Sequence, residues 1–222
     1  MKMGQTLINP SDFPAKIWRF PGIVVTLQRS NMEQRYNPSK IDISLLRDYC
    51  KQQGECVDYK KGELMERKGE PARWVGFVER GCFKYTVRRS IDGRERIVWF
   101  SFETELVGDY PNMLYGTPAQ MTIEAMTPCR VWRISGEQLR RFCGQSRENE
   151  RTIHEIGNHV LCQFKTHCCN IYQYTPCERY EQLLRRCPGI VNDLPLYAIA
   201  SFLGVTSKTL SKLRRSITFG EE

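Results

Sequence analysis

Residues 196–215 have the sequence LYAIASFLGVTSKTLSKLRR, and this stretch decides how the C-terminal part of the chain folds. Its apolar residues recur at helical intervals on both sides of Gly204, where glycine permits a tight turn with positive φ. Ala200 is small enough to let two helices cross closely. The stretch therefore predicts a helix-turn-helix, with one helix beginning at Leu196 and the second at Thr206.

The second predicted helix leaves a polar and basic face free of the apolar contacts. From Leu196 to Ile217 there are four basic residues and no acidic one. Lys and Arg bind phosphates and guanine edges, and hydroxyls contact either, so this face suits the major groove of DNA. Its members are Ser207, Lys208, Ser211, Lys212 and Arg215. Taken alone, the same pattern also fits an ordinary helical hairpin.

A longer helical pattern precedes this motif. Apolar residues at intervals of three and four form one narrow seam on a helix of about 20 residues or more. Charges and amides flank the seam, which favours a coiled-coil dimer over packing on the helix's own domain. The predicted dimer-helix residues are Ile153, Ile156, Val160, Phe164, His167 and Ile171.

A hinge between domains is predicted after the long helix. Thr175, Pro176 and Glu178 occupy the cap, the first and the third positions of a new helix. That helix passes through Leu184 and is expected to stop at Cys187-Pro188-Gly189.

Between Cys56 and Ile134 the apolar period changes to two. The segments Phe83–Val87 and Met121–Ala125 alternate apolar with polar residues, which predicts half-buried strands. Several short strands at this spacing indicate an antiparallel sandwich or roll. Turn dipeptides separate the strands at Lys61-Gly62, Arg80-Gly81 and Asp92-Gly93, the last of which suits a tight hairpin.

Two helices are predicted to flank the strands. Ile43 to Cys50 has helical spacing and leads into the first domain, whereas Ser135 and Gln138 form a capping box that opens a helix. Before Ile43 we expect an irregular arm with one short strand at Ile23 to Leu27.

Composition limits the classes of protein and partner. The 222 residues weigh 26.0 kDa, enough for one or two domains with their own cores. A net charge of +8 favours an anionic partner, either nucleic acid or an acidic membrane surface. Because no apolar run approaches a membrane span and no secretory signal is present, we expect a cytoplasmic protein with ten reduced cysteines and no membrane association.

Three segments carry a resemblance to a known family. They are WVGFVERGCFKYTV at residues 74–87, DGRERIVWFSFETELVGDY at residues 92–110 and ERYEQLLRRCPGIVNDLPLYAIASFLGVTSKTLSKLRR at residues 178–215. From about Ile43 onward the chain resembles the Crp/Fnr regulators, the relatives of the bacterial cyclic-AMP receptor protein.

The resemblance implies an α+β fold. Its parts would be an antiparallel β-roll of the cyclic-nucleotide-binding jelly-roll type, a long dimerisation helix and a winged-helix-like helix-turn-helix domain. We expect an arm at residues 1–42, a sensor domain at 43–135, the linker and dimer helix at 136–174 and the DNA-binding domain at 175–222. The function implied is that of a homodimeric bacterial transcription regulator and not an enzyme.

The resemblance also implies partners and contacts. These are RNA polymerase and near-palindromic double-stranded DNA, with half-sites about one helical turn apart. The family's DNA-contacting positions match Thr206 to Thr209, Ser211 and Lys212; the helix start at Thr206 would hold phosphate, and Ser207, Lys208 and Lys212 would face bases. Members resembling the cyclic-AMP receptor have Arg and Glu early in this helix, so their operator sequence does not carry over.

The effector pocket departs from the family. Cyclic-AMP-binding members use Gly-Glu and, about ten residues later, an Arg that pairs with phosphate. Here the candidate pocket residues are Gly108, Asp109, Ala119 and Gln120, and the Arg is absent. We therefore expect no cyclic nucleotide and no other cofactor, and the sensor would respond to an unidentified effector.

Redox and metal sensing are alternatives on the same fold. The first 49 residues contain no Cys, and Cys50, Cys56 and Cys82 lack the spacing of cluster ligands. A thiol switch near the hinge stays open, since cysteines occur at Cys162, Cys168, Cys169, Cys177 and Cys187.

Histidine chemistry is disfavoured. His154 and His159 stand five apart, whereas a zinc-protease helix needs a spacing of four. His167 is expected in the seam, with haem ligation as its alternative.

Two further classes remain to be distinguished. Residues 56–134 contain no His, and we find no nucleophile-base pair or phosphate loop, which argues against an enzyme. A ligand-sensing interaction module that does not bind DNA is the remaining alternative, and it predicts that Lys208→Ala and Lys212→Ala leave function intact.

Overall fold

The computed structural model of the protein describes residues 18–20, 23–25, 41–186 and 194–219. The chain divides into two units, residues 1–40 and 41–222. In the first unit β1 (Trp18–Phe20) and β2 (Ile23–Val25) form an antiparallel pair, which confirms the start of the strand predicted at Ile23. The rest of the predicted arm, and the helix stop at Cys187-Pro188-Gly189, lie outside the described residues.

The second unit contains two four-stranded antiparallel sheets, which confirms the predicted roll. The first sheet has the strand order β3-β10-β5-β8, and the second has the order β4-β9-β6-β7. The strands are β3 (Glu55–Tyr59), β4 (Leu64–Glu66), β5 (Trp74–Arg80), β6 (Phe83–Arg88), β7 (Glu95–Ser101), β8 (Leu106–Gly108), β9 (Thr122–Ala125) and β10 (Cys129–Ser135).

Alternating residues of the two sheets fill the interior of the roll. Phe83, Ile123 and Val131 are fully buried there, as the period of two predicts for strands with one face on a core. The predicted hairpin at Asp92-Gly93 joins β6 to β7, and Gly93 adopts a φ of 65°, which glycine accepts without strain.

A β-bulge interrupts β7. Tyr85 of β6 pairs with Trp99, but the following residue of β6, Thr86, pairs with Ile97. Val98 is therefore the extra residue of β7. The extra residue places Ile97 and Phe100, three apart in sequence, in one buried cluster outside the roll. In a regular strand two residues three apart face opposite sides.

Seven helices occur among residues 41–186 and 194–219. The predicted capping boxes are present at Ser135 with Gln138 and at Thr175 with Glu178. The helices are α1 (Ser44–Gln53), α2 (Asn112–Tyr115), α3 (Gly136–Gln145), α4 (Arg147–Gln173), α5 (Pro176–Arg186), α6 (Leu196–Leu203) and α7 (Ser207–Phe219). None of these described helices has the length and apolar character needed to cross a bilayer.

Two apolar clusters attach the helices to the roll. One joins α1, α3 and the start of α4 to the first sheet through buried residues such as Leu46, Phe142 and Ile153. The other joins α5, α6 and α7 to the second sheet, where Phe100 of β7 lies among residues that include Ile199 and Leu210. Both clusters lie within the second unit, so the helix-turn-helix packs directly on the roll.

Candidate nucleic-acid interface and effector pocket

The helix-turn-helix is formed by α6 and α7. Gly204, with a φ of 70°, ends α6, and its amide donates to the carbonyl of Ser201 at 3.1 Å. The hydroxyl of Thr206 accepts from the amide of Thr209 at 3.1 Å and caps α7. Leu203 and Leu210 are 1% and 0% exposed, so they hold the two helices together.

The polar residues of α7 lie on its exposed side. The residues placed there from the sequence are all exposed, namely Ser207, Lys208, Ser211, Lys212 and Arg215. Because they recur at helical spacing around the buried Leu210, they form one continuous face. The face has the chemistry for contact with phosphates and base edges.

Thr206 and Thr209 are also exposed, but the structure uses their side chains locally. The two hydroxyls lie 2.9 Å apart, and that of Thr206 also accepts from the backbone of Thr209. The first amides of a helix have no acceptor inside that helix, so those of Ser207 and Lys208 are oriented outward at its positive end.

The candidate effector-pocket residues are hydrogen-bonded within the protein, with Asp109 and Ala119 buried and Gln120 exposed. Asp109 is 1% exposed, and its Oδ2 accepts from the amide of Gln120 at 2.7 Å. Ala119 is buried, and its amide donates to the carbonyl of Glu70 at 2.8 Å. The structure thus brings the two halves of the predicted pocket together, but through contacts with each other.

Gly108 belongs to a second buried network. Its amide donates to the hydroxyl of Tyr85 at 3.1 Å, and the hydroxyls of Tyr85 and Ser101 lie 3.0 Å apart. Ser101 donates its hydrogen to the carbonyl of Leu106 at 2.8 Å, so Tyr85 is the donor in the pair of hydroxyls. Burial raises the pKa of Tyr85 to about 12, which keeps the phenol protonated.

A buried carboxyl group lies near the same site. Glu66 is 5% exposed, and its Oε1 accepts from the amides of Arg73 and Trp74 at 2.8 and 2.7 Å. Burial raises the pKa of Glu66 and the charge of Asp109 adds to the rise, whereas the two amide hydrogen bonds oppose it. Two buried carboxyl groups disfavour an anionic ligand in their vicinity.

These contacts test whether the residues fit a cyclic nucleotide. A cyclic phosphate needs a cation, and the position that the family gives to Arg holds the buried Ala119. The carboxylate of Asp109, a candidate pocket residue, is bonded to the protein's own backbone. The residues present therefore do not fit a cyclic nucleotide.

Most residues of the predicted dimer seam of α4 contact other parts of the same chain. Ile153 and Ile156 are each 7% exposed and pack with α1 and α3, and Phe164 stacks on Trp99 of β7 at 5.3 Å. Periodicity defines a face of a helix but not what covers it, and here α1, α3, β7 and α6 of the same chain contact much of that face. Within the seam, Ile171 is exposed.

A different apolar stripe of α4 is exposed. Leu161 is 66% exposed and Tyr172 is 90% exposed, and the exposed Cys168 lies between them on the helix. Spacings of seven and four residues place these three side chains on one side of the helix. This stripe was not identified from the sequence, because Lys165 and the cysteines weaken its apolar signal.

The described residues do not form a metal or disulfide site. Nine free cysteines are present in this part of the chain, and no group of three or more metal-ligating residues is found in it. Burial raises the pKa of Cys50 to about 12, which leaves its thiol unreactive. Cys168 and Cys169 are exposed neighbours on α4.

Comparison with protein families matches residues 56–146 to the cyclic nucleotide-binding domain. Among solved structures, FixK2 from Bradyrhizobium japonicum superposes with a TM-score of 0.64 at 21% identity, over 75% of this chain and 86% of that one. Residues 56–146 thus match a cyclic nucleotide-binding domain, and the chain shares the fold of FixK2. The family resemblance predicted from the sequence is thereby confirmed at the level of the fold.

Two further structures agree with this result. The c-di-GMP responsive global regulator CLP of Xanthomonas campestris gives a TM-score of 0.58 at 15% identity, over 80% of this chain and 92% of that one. A CooA mutant from Carboxydothermus hydrogenoformans gives 0.60 at 13% identity, over 82% and 87%. A comparison with curated protein sequences found no match.

Proposed function

We propose that this protein is a sequence-specific DNA-binding transcription regulator and that α7 is the helix that contacts DNA. The observation that carries the proposal is the continuous exposed face of α7, which has hydroxyl and basic side chains and no acidic one among residues 207–215. The net charge of +8 agrees with an anionic partner. CLP, which has the same fold, is by name a global regulator linked to gene expression.

The regulator would act as a homodimer, with the second copy bound to the exposed stripe of α4 formed by Leu161, Cys168 and Tyr172. Apolar side chains exposed to this extent on a helix of 27 residues are typical of a helix that packs against another. A two-fold dimer would place two copies of α7 against two half-sites of a near-palindromic operator. RNA polymerase is the further partner that the resemblance implies.

The roll would sense an effector other than a cyclic nucleotide. This proposal rests on the internal bonding of Asp109 and on Ala119 at the position of the phosphate-binding Arg. The effector would bias one arrangement of the helices by binding that arrangement more tightly.

Selection from a random duplex library with the purified protein at near-physiological salt tests the function. We expect one near-palindromic site to be recovered. The double variant Lys208→Ala, Lys212→Ala should then bind that site at least tenfold more weakly, because each side chain that reads a base contributes about 1 to 3 kcal/mol.

The matched control is Lys60→Ala, Lys61→Ala, which removes two exposed charges from the turn between β3 and β4. Equal binding by both double variants would contradict the assignment of α7. Absence of any selected site would favour an interaction module that does not bind DNA.

The dimer is tested by light scattering with the Tyr172→Lys variant. Wild-type protein should have the mass of two chains at micromolar concentration, and the lysine should shift the mass toward one chain. A wild-type monomer under these conditions would contradict the dimer.

A further inference from the structure

Helix α6 of the helix-turn-helix is bonded to the free edge of the roll. Among the described strands, β7 is the last in the order of its sheet, so no described strand pairs with its outer edge. The amide of Ile97 in β7 donates to Oγ of Ser201 on α6 at 3.1 Å. The hydrogen bond thus joins the DNA-binding part of the chain to the roll.

Apolar contacts surround this bond. The bulge at Val98 brings Ile97 and Phe100 to the same side of β7, and both are buried against α6. The rings of Phe100 and Phe202 lie 5.3 Å apart, one helical position beyond Ser201. The amide of Ile97 therefore lies beside a desolvated cluster, where an unpaired donor is costly.

The long helix reaches the same point. His167 of α4 stacks on Phe202 at 5.0 Å with an angle of 22° between the rings, and its edge contacts Trp99 of β7 at 5.7 Å. Phe164, one turn earlier on α4, stacks on the same Trp99. Residues from β7, α4 and α6 thus meet in one junction, formed by Ile97, Trp99, Phe100, Phe164, His167, Ser201 and Phe202.

Little separates the junction from the proposed DNA-binding face. Ser201 precedes the end of α6 by two residues, and the amide of Gly204 bonds back to its carbonyl at 3.1 Å. Thr206 then caps α7. Because each connection is short and hydrogen-bonded, the orientation of α6 determines the direction of α7.

We propose that this junction sets the position of α7 relative to α4, with Ser201 as its positioning residue. The proposal rests on the proposed function, since two copies of α7 can meet two half-sites only at a fixed distance from the dimer helix. Ser201 does not contact DNA in this scheme. It acts through its hydrogen bond to the edge of β7. Loss of the Ser201 hydroxyl would change the preferred spacing of the two half-sites, but not the affinity for a single half-site.

The test compares Ser201→Ala, which removes the acceptor, with Ser201→Thr, which keeps a hydroxyl. Ser90→Ala is the control, because Ser90 is an exposed serine in the turn that joins β6 to β7, the strand of Ile97. Affinity is measured for a duplex with a single half-site and for three duplexes with two half-sites. In these three the half-sites have the selected spacing, one additional base pair or two additional base pairs between them.

We expect the affinity of Ser201→Ala for a single half-site to stay within about twofold of the wild-type value. The ratio of its affinities for the selected and the altered spacings should fall by about fivefold or more. Ser201→Thr and Ser90→Ala should keep the preference. A spacing preference unchanged in Ser201→Ala would overturn the proposal.

Amide hydrogen exchange of Ile97 gives a readout that does not depend on DNA. The amide should be protected in the wild type and in Ser201→Thr, and should exchange at least tenfold faster in Ser201→Ala. Equal exchange in the wild type and Ser201→Ala would overturn the junction itself. A wild type that binds no duplex would overturn the proposed function instead, and the exchange result would still decide whether the contact holds α6.

Discussion

The interior of the β-roll and the exposed face of α7 use polar side chains in opposite ways. In the roll, the hydroxyls of Tyr85 and Ser101 and the carboxylate of Asp109 bond to the protein itself. On α7, Lys208 and Lys212 extend into solvent beside two exposed serines. A polar group can bind an external partner cheaply only if it does not first have to break internal bonds.

The comparison shows why a matched family domain does not identify the ligand. The roll has retained the strands of a cyclic nucleotide-binding domain, but its polar groups stabilise the fold. The helix-turn-helix has retained an outward face with the chemistry for nucleic acid. Four substitutions or additions would break or sharpen this contrast.

Removing the buried carboxylate should have the largest effect. Asp109→Ala removes a side chain that is 1% exposed and deprives the amide of Gln120 of its acceptor in a partly buried hydrogen bond, so we expect the free energy of unfolding to fall by about 2 kcal/mol. Urea denaturation measures the change. Asp48→Ala, at an exposed carboxylate, is the control and should change stability by less than about 0.5 kcal/mol. Equal effects of the two substitutions would contradict the structural role of Asp109.

The cap and the exposed face of α7 should contribute differently to stability. Thr206→Ala removes the cap of the helix and should lower the free energy of unfolding by about 1 kcal/mol. Ser211→Ala, on the exposed face, should stay within about 0.5 kcal/mol of the wild type. Thermal denaturation of the two variants gives the comparison. A Ser211→Ala variant as unstable as Thr206→Ala would mean that the exposed face also serves the fold.

The third prediction concerns pH. The pKa of Glu66 is raised in the folded protein by burial, so its contribution to stability is complete below the ordinary glutamate pKa and is lost as pH rises through the folded pKa. Glu66→Gln keeps an acceptor oxygen for the amides of Arg73 and Trp74 but does not titrate. The wild type should therefore lose stability relative to Glu66→Gln as the pH is raised from the ordinary glutamate pKa through the higher range in which the folded protein titrates. A difference that stays constant across this range would contradict the assignment.

The smallest expected effect is none. Cyclic AMP or cyclic GMP at millimolar concentration should leave the melting temperature unchanged, because ligands stabilise a protein only by binding its folded state. Calorimetric titration is the independent measurement. A saturable rise in melting temperature with either nucleotide would show that the internal bonds of Asp109 are exchanged for bonds to a ligand.

Sequence patterns predicted what depends on neighbouring residues. The turn at Gly204, the hairpin at Asp92-Gly93 and the caps at Ser135 and Thr175 each follow from local backbone chemistry, and each is present. The exposed face of α7 followed from the same periodicity that buries Leu210.

The remaining features depend on contacts between distant residues. The seam of α4 gave no indication that Ile153 would pack on α1 or that Leu161 would be left exposed, because periodicity does not identify a partner. The bond from Ile97 to Ser201 spans 104 residues and follows from a bulge that no local pattern marks. The site residues that sequence alone missed are of this kind.

The bulge at Val98 also affects how this chain has to be aligned with others. The residues on both sides of Val98 pair with β6, and only the register changes by one residue between them. The bulge is therefore equivalent to a one-residue insertion in β7. A related chain with a regular β7 should therefore align with a single gap at Val98. An ungapped alignment would match inward-facing positions of one chain with outward-facing positions of the other along the N-terminal half of the strand. Ile97 would then no longer be recognised as a contact of the helix-turn-helix.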